Sequence, residues 1–283
     1  MTETNALLIE ALELTGEDLA ALSRAVEALE KTTMAGRITN MLGRQIAVAG
    51  QFVPERVRGV ASRGANIALR AAMGAALRSL RTGQHPASSR FHKAAIAASG
   101  AAGGALGFVA LPFELPASTI LMLRAIGDVA RAQGEDMDDP ATALACLEVF
   151  ALGGRTRSDD HLESSYFAVR ALLARSISEA SRYIAGKGVV DEAAPVLVKL
   201  ASKIAARFGV ALSQKFAAQA IPIIGAMGGA AVNMAFLQHF ELIAEGHFTV
   251  RRLERVYGSR FVKAEYDRLR TDALGLAPDP ASS

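Results

Sequence analysis

The residues of this 283-residue chain best suited to chemistry are carboxylates set in apolar surroundings. Glu114 is the first, lying in LPFELP between an uncharged run, Ala94 to Phe113, and the apolar LPASTILML that follows. A carboxyl group held away from water resists ionisation, and such groups often serve as acids, bases or ligands. Its candidate partners are Arg124 and Asp128, one helical turn apart, and Glu148 on the next helix. The structural alternative places Glu114 beside the amino terminus of a helix starting near Pro116, where the helix dipole stabilises its charge. A second concentration is GGRTRSDDHLE, the most polar interior stretch, where Gly153, Gly154, Arg155, Asp159 and His161 fall in one loop suited to a ligand. Asp160 and Glu163 have capping-box spacing there, so a loop followed by a helix start accounts for several of these residues. A hydrolytic acid-based site would draw on Glu114, Glu148, Asp159 and His161.

Other chemistries find no motif. There is no HExxH, no GxSxG elbow, no Walker loop, and no GxGxxG following a strand. The five histidines show no ligand spacing with acids or with the single cysteine, so neither a metal nor a cofactor is expected. Cys146, beside Leu144, Leu147 and Phe150, reads as a small buried apolar residue.

The elements that must position these residues are helices. Hydrophobic residues make up 51% of the chain, alanine is abundant and tryptophan is absent, a balance that favours helix over strand. The expected fold is an all-α, multi-helix bundle around two Ala/Gly-rich apolar segments, forming one domain over residues 1–275 with a disordered tail at 276–283. A helix follows the Thr15/Asp18 capping pair, with Leu19, Leu22, Val26 and Leu29 inward. Beyond Pro54 the chain can be laid on a helix that gathers Arg56, Arg63, Arg70 and Arg81 in one stripe and Ala61, Ala65, Ala68, Ala72 and Ala76 opposite. Pro112 and Pro116 are expected to break the chain around Glu114. Asp139 and Pro140 should start a helix reaching residue 152, another should open at the Asp160/Glu163 pair and run through Tyr166, Val169, Leu173, Ile177 and Ile184, and Asp191 should cap the next. The second uncharged run, Phe216 to Phe240, carries GAMGGA at Gly225, echoing GAAGGA at Gly100. This suggests a degenerate internal repeat whose two glycine segments pack together. A pair of basic helices broken at Gly258 closes the fold.

Charge distribution says more than the net +3. Between Arg37 and Lys93 there are nine arginines and one lysine against a single acid, Glu55. The arginine stripe is either a solvated face or a contact for anionic headgroups, worth about 1 kcal/mol per basic residue. Nucleic acid is not expected as a partner, because the basic region lacks aromatic residues for stacking on bases. The run Ala94 to Phe113 has the length of a membrane span, but its alanines and glycines supply little transfer energy. A buried hairpin or re-entrant segment fits it better.

The ordered series ELPASTILMLRAIGDVARAQGED, LACLEVFALGG, the Tyr166 region, RFGV, AIPIIGAMGGA and GHFTVRRLE resembles the EcsC family, from about Leu19 to Tyr266. The resemblance implies a bacterial, helical, membrane-associated protein, named for a member encoded beside an ABC transporter, with no settled catalytic activity and hence no catalytic residues to carry across. The matching positions that stand out are Glu114, Arg124, Asp128, Glu148, Gly153 and Gly154. The expectation is therefore a non-enzymatic protein at the inner face of the cytoplasmic membrane, peripheral or partly embedded. Its partner would be anionic lipid or a membrane protein, and a homo-oligomer is compatible with it. The alternatives are the acid-based hydrolase and a soluble scaffold.

Overall fold

The structure, a computed structural model, describes residues 13–34, 36–37, 55–82, 111–154, 165–186, 191, 193–219 and 225–275. Within these helices, side chains are not described at 55–58, 79–82, 111–113, 217–219 and 225–229. Among the described residues there is no strand, and the protein is all-α. The helices are α1 (Gly16–Val26), α2 (Glu55–Thr82), α3 (Leu111–Ala132), α4 (Pro140–Leu152), α5 (Tyr166–Ala185), α6 (Pro195–Gln219), α7 (Gly225–Tyr257) and α8 (Ser259–Leu274).

The local sequence explains most of the boundaries. Thr15 caps α1, its hydroxyl accepting from the Asp18 amide at 3.2 Å. Asp139 accepts from the Ala141 amide at 2.8 Å, with Pro140 in the first turn of α4, where a missing N–H costs nothing. Gly258, at φ +87°, turns the chain between α7 and α8, a backbone conformation that side chains disfavour. Three expectations are corrected. The chain is not broken around Glu114: α3 runs from Leu111 with Pro116 inside it, close enough to the start that only one early helical hydrogen bond is lost. The cap of α5 is Ser165, which accepts from the Ala168 amide, so the helix starts later than the Asp160/Glu163 pair suggests. Asp191 shapes the turn before α6, bonding the Ala193 amide at 2.9 Å, while the helix itself begins at Pro195.

The long helix α7 packs against α1, α3, α4, α6 and α8, and α2 lies along α6. The close approach of α2 and α6 follows from the small residues on their facing sides. Ala61, Ala65, Ala68, Ala72 and Ala76 are all buried, as the stripe reading requires, and a side chain on Gly209 would meet the backbone of Ser62. Phe150, Phe208, Phe236 and Phe240 form the aromatic centre of the core, with ring centroids 4.9–6.0 Å apart. The edge-to-face pairs among them, Phe150–Phe208, Phe208–Phe240 and Phe236–Phe240, each add about 0.5–1.5 kcal/mol beyond the area they bury.

A π-turn, Glu27–Lys31, continues α1 and carries the buried Glu30. Its carboxylate accepts from the Tyr166 amide at 3.0 Å and the Tyr266 hydroxyl at 2.9 Å, tying α1 to the start of α5 and to α8. No helix among the described residues is long and apolar enough to cross a membrane. Gly100 and most of the first uncharged run lie outside the described residues, as do the expected tail and therefore the packing of the two glycine segments.

Candidate functional site

Glu114 stands in the first turn of α3, and its partners come from helices far along the chain. Lys215 on α6 approaches Glu114 Oε1 with Nζ at 3.3 Å, and Asn233 on α7 donates to the same oxygen at 3.2 Å. The Lys215 side chain is fully buried and lies 5.1 Å from the centroid of the Phe236 ring. Burial pushes the ammonium down from its ordinary value, and the Glu114 carboxylate opposes that shift. This arrangement crosslinks three helices in the core. It takes Glu114 away from the partners that spacing suggested: Arg124 is exposed, Asp128 pairs with Arg131 at 3.0 Å, and Glu148 belongs to a separate cluster.

That separate cluster has the character of a site. Glu148 on α4 is only 5% exposed and makes no hydrogen bond among the described residues; its Oε2 lies 3.9 Å from His247 Nε2. Behind it, His247 Nδ1 shares a 3.0 Å hydrogen bond with the Tyr166 hydroxyl, while His247 Nε2 has no hydrogen-bond partner. Burial pushes the Glu148 carboxyl up to about 7, although Arg170 and Arg251 pull the other way. Burial drives the His247 imidazole well below its ordinary value, helped by the same two arginines, so the ring is neutral. A carboxyl group poised near neutrality beside a neutral imidazole is able to accept or release a proton.

Two ion-pair clamps hold this cluster. Arg170 on α5 makes a bidentate pair with Glu254 on α7 at 2.8 and 3.1 Å and lies over the Tyr166 and Phe167 rings. Arg251 on α7 makes a bidentate pair with Glu135 at 2.9 and 2.8 Å; Arg255 and Thr142 also donate to that carboxylate. Burial alone would raise the Glu135 carboxyl, but the two guanidinium groups hold it below the usual range. Glu148 lines a groove of about 790 Å³ bounded by α4, α5, α7 and α8.

The glycine pair after α4 serves packing. A side chain at Gly154 would put its Cβ 2.2 Å from the Arg207 carbonyl oxygen on α6, and one at Gly153 would meet the Phe240 ring at 2.3 Å. The Gly153 carbonyl accepts from His239 Nε2 at 2.8 Å, and Arg207 donates to the Ala151 carbonyl at 3.1 Å, so two side chains satisfy the end of α4. Burial lowers His239 to about 4 and keeps it neutral. Cys146 is buried, its thiol pushed up to about 12 by burial, and is inert as a nucleophile. Arg155, Asp159 and His161 lie outside the described residues, as do the side chains of Arg56 and Arg81. Arg63 and Arg70 are exposed on α2, away from the buried alanines. Among the described residues no group of acids, histidines and cysteine is placed to hold a metal ion.

A profile of the EcsC protein family matches residues 13–253. The chain belongs to that family. No curated protein and no solved structure matches it. The EcsC match covers α1 through most of α7, including Glu114, Lys215, Asn233, Glu148 and His247; it stops before Glu254 and all of α8. One wall of the groove is therefore built from residues beyond the matched EcsC segment.

Several residues of this EcsC chain were not singled out by sequence reasoning. Lys215 falls on the inward stripe of α6 with Leu197, Ile204 and Phe208, and a charge on such a stripe implies a buried counter-charge. Asn233 and His247 sit on buried positions of α7 in the same way. Arg170, Arg251 and Glu135 gave no comparable signal, because their pairing depends on which helix ends meet.

Proposed function

We propose that this EcsC family protein is a non-enzymatic protein that docks peripherally on the anionic inner face of the cytoplasmic membrane. The observation that carries this reading is the outward face of α2. Val60, Arg63, Ile67 and Arg70 recur at helical spacing on one side; Val60 is 41% and Ile67 57% exposed, and both arginines are exposed. Apolar side chains standing in water between guanidinium groups have the pattern of a helix lying in a headgroup layer, with its apolar atoms entering the acyl boundary and its charges on phosphates. Charge complementarity singles out anionic lipid as the occupant, since the surrounding segment carries ten basic residues against one acid between Arg37 and Lys93. The buried alanine face of the same helix anchors it to α6, so the basic face is presented on a packed element.

The acid-based hydrolase reading is weaker. Its first residue, Glu114, is tied to Lys215 and Asn233 in the core, leaving Glu148 as its remaining described acid.

Vesicle sedimentation tests the docking. Full-length protein should pellet with phosphatidylglycerol-containing vesicles at low salt, release as salt rises, and ignore pure phosphatidylcholine. At about 1 kcal/mol per basic residue, Arg63→Glu with Arg70→Glu should weaken vesicle binding by at least about 30-fold. Binding that is equal on neutral and anionic vesicles, or unchanged in the double variant, overturns the reading.

A further inference from the structure

The groove over Glu148 has a charge pattern that the packing of the helices does not account for. Arg170 and Arg251 on its inner side are neutralised by Glu254 and Glu135. At its rim Arg182 on α5 and Arg260 on α8 are exposed and make no ion pair among the described residues, while Lys263 bridges Asp267 at the surface and lies over the Phe167 ring. Ser178, Ser181 and Ser259 line the same walls. At the floor the Glu148 carboxyl is more than nine-tenths buried, lines the groove, and has no hydrogen-bond donor among the described residues. His247 Nε2 behind it is a buried atom without a hydrogen-bond partner, whereas the Glu148 oxygens meet the groove, where the donor group of a ligand can take the place of water. Between floor and rim runs a short apolar strip, Ala171, Ala174 and Ile177.

The geometry points to this groove as a binding site for a phosphate monoester that carries a hydroxyl or amino group. Its phosphate is held by Arg182, Arg260 and the serine hydroxyls, and its donor group is turned inward to Glu148. Guanidinium groups and hydroxyls suit phosphate oxygens, and the two charged ends of the groove set the ligand's orientation. The volume of about 790 Å³ falls within the ordinary range for small-molecule sites. This chemistry occurs both in soluble phosphate esters and in lipid headgroups. The site is formed by α4, α5, α7 and α8 and does not use the α2 face.

The test is calorimetric titration of the full-length protein with glycerol 3-phosphate and, separately, with phosphatidic-acid vesicles, using inorganic phosphate as the fragment lacking a carbon-bound donor. The expected result is that glycerol 3-phosphate binds more tightly than inorganic phosphate. Arg182→Glu with Arg260→Glu should weaken it by at least tenfold; both are exposed, so the variant should keep the wild-type melting temperature. Glu148→Gln should reduce the preference for glycerol 3-phosphate over inorganic phosphate. Arg63→Glu with Arg70→Glu should leave glycerol 3-phosphate binding unchanged, which separates this site from membrane docking. Vesicle binding that needs Arg182 and Arg260 assigns the site to a lipid headgroup; tight binding of the soluble ester alone assigns it to a soluble ligand. Absence of binding to both probes, or binding indifferent to the rim substitutions, overturns the proposal.

Discussion

At the scale of single residues, two buried carboxyl groups illustrate opposite solutions to the same problem. Glu114 is paired with Lys215 at 3.3 Å, and removing only one member of such a buried pair leaves the other without its partner in the core. Lys215→Met should therefore destabilise the protein by about 3–5 kcal/mol in urea unfolding, whereas adding Glu114→Gln should recover much of the loss. Additive losses in the double variant would mean that the two groups are not coupled. Glu148 has no such partner, and its pKa rises from the ordinary 4.5 to about 7. Between those values the folded protein holds a proton that the unfolded chain has released. The contribution is fully present below about 4.5 and is lost as the pH rises through 7, amounting to about 2–3 kcal/mol at most between pH 5 and 8. Glu148→Gln should thus gain stability over wild type as the pH rises across that range, read as diverging melting temperatures; parallel curves would contradict the shift. His247 has the opposite sign, its contribution being lost as the pH falls below 6.5, but both proteins carry it and it cancels in the comparison. The sequence marked both carboxylates as unusual. It did not reveal that they belong to different clusters, because Glu114 and Lys215 are 101 residues apart and meet only when three helices pack.

At the scale of elements, periodicity made most of the fold legible. The inward stripes of α5 and α6, the alanine face of α2 and the Asp139–Pro140 start of α4 follow from local spacing and capping chemistry. The π-turn after α1 and the late start of α5 did not, since Glu30 and the Tyr166 amide stabilise each other across 136 residues. The glycine pair after α4 stood out in the sequence as loop chemistry, and in the structure it is a contact surface. Gly154→Ala should cost about 1–3 kcal/mol or more, because its Cβ meets helix backbone that yields only by shifting α4 against α6. Gly16→Ala, where nothing lies within 4 Å, should be neutral or slightly stabilising. Equal effects of the two substitutions in thermal unfolding would show that the α4–α6 contact is looser than described.

At the scale of the whole molecule, a crosslinked core stands apart from the basic outer face of α2. The core residues Glu114, Lys215, Asn233, Glu148 and His247 lie within the EcsC match, and so does the α2 face proposed for docking. The absence of tryptophan from the chain offers a direct test, because one introduced at Ile67 reports only on that face. With phosphatidylglycerol vesicles at low salt, Ile67→Trp should show a blue-shifted, brighter emission that lipid-borne quenchers suppress and added salt reverses. Tryptophan in place of the exposed Leu172 on α5 should not respond. An Ile67→Trp emission that stays at its solvent-exposed value in the presence of anionic vesicles would contradict the claim that α2 meets the membrane.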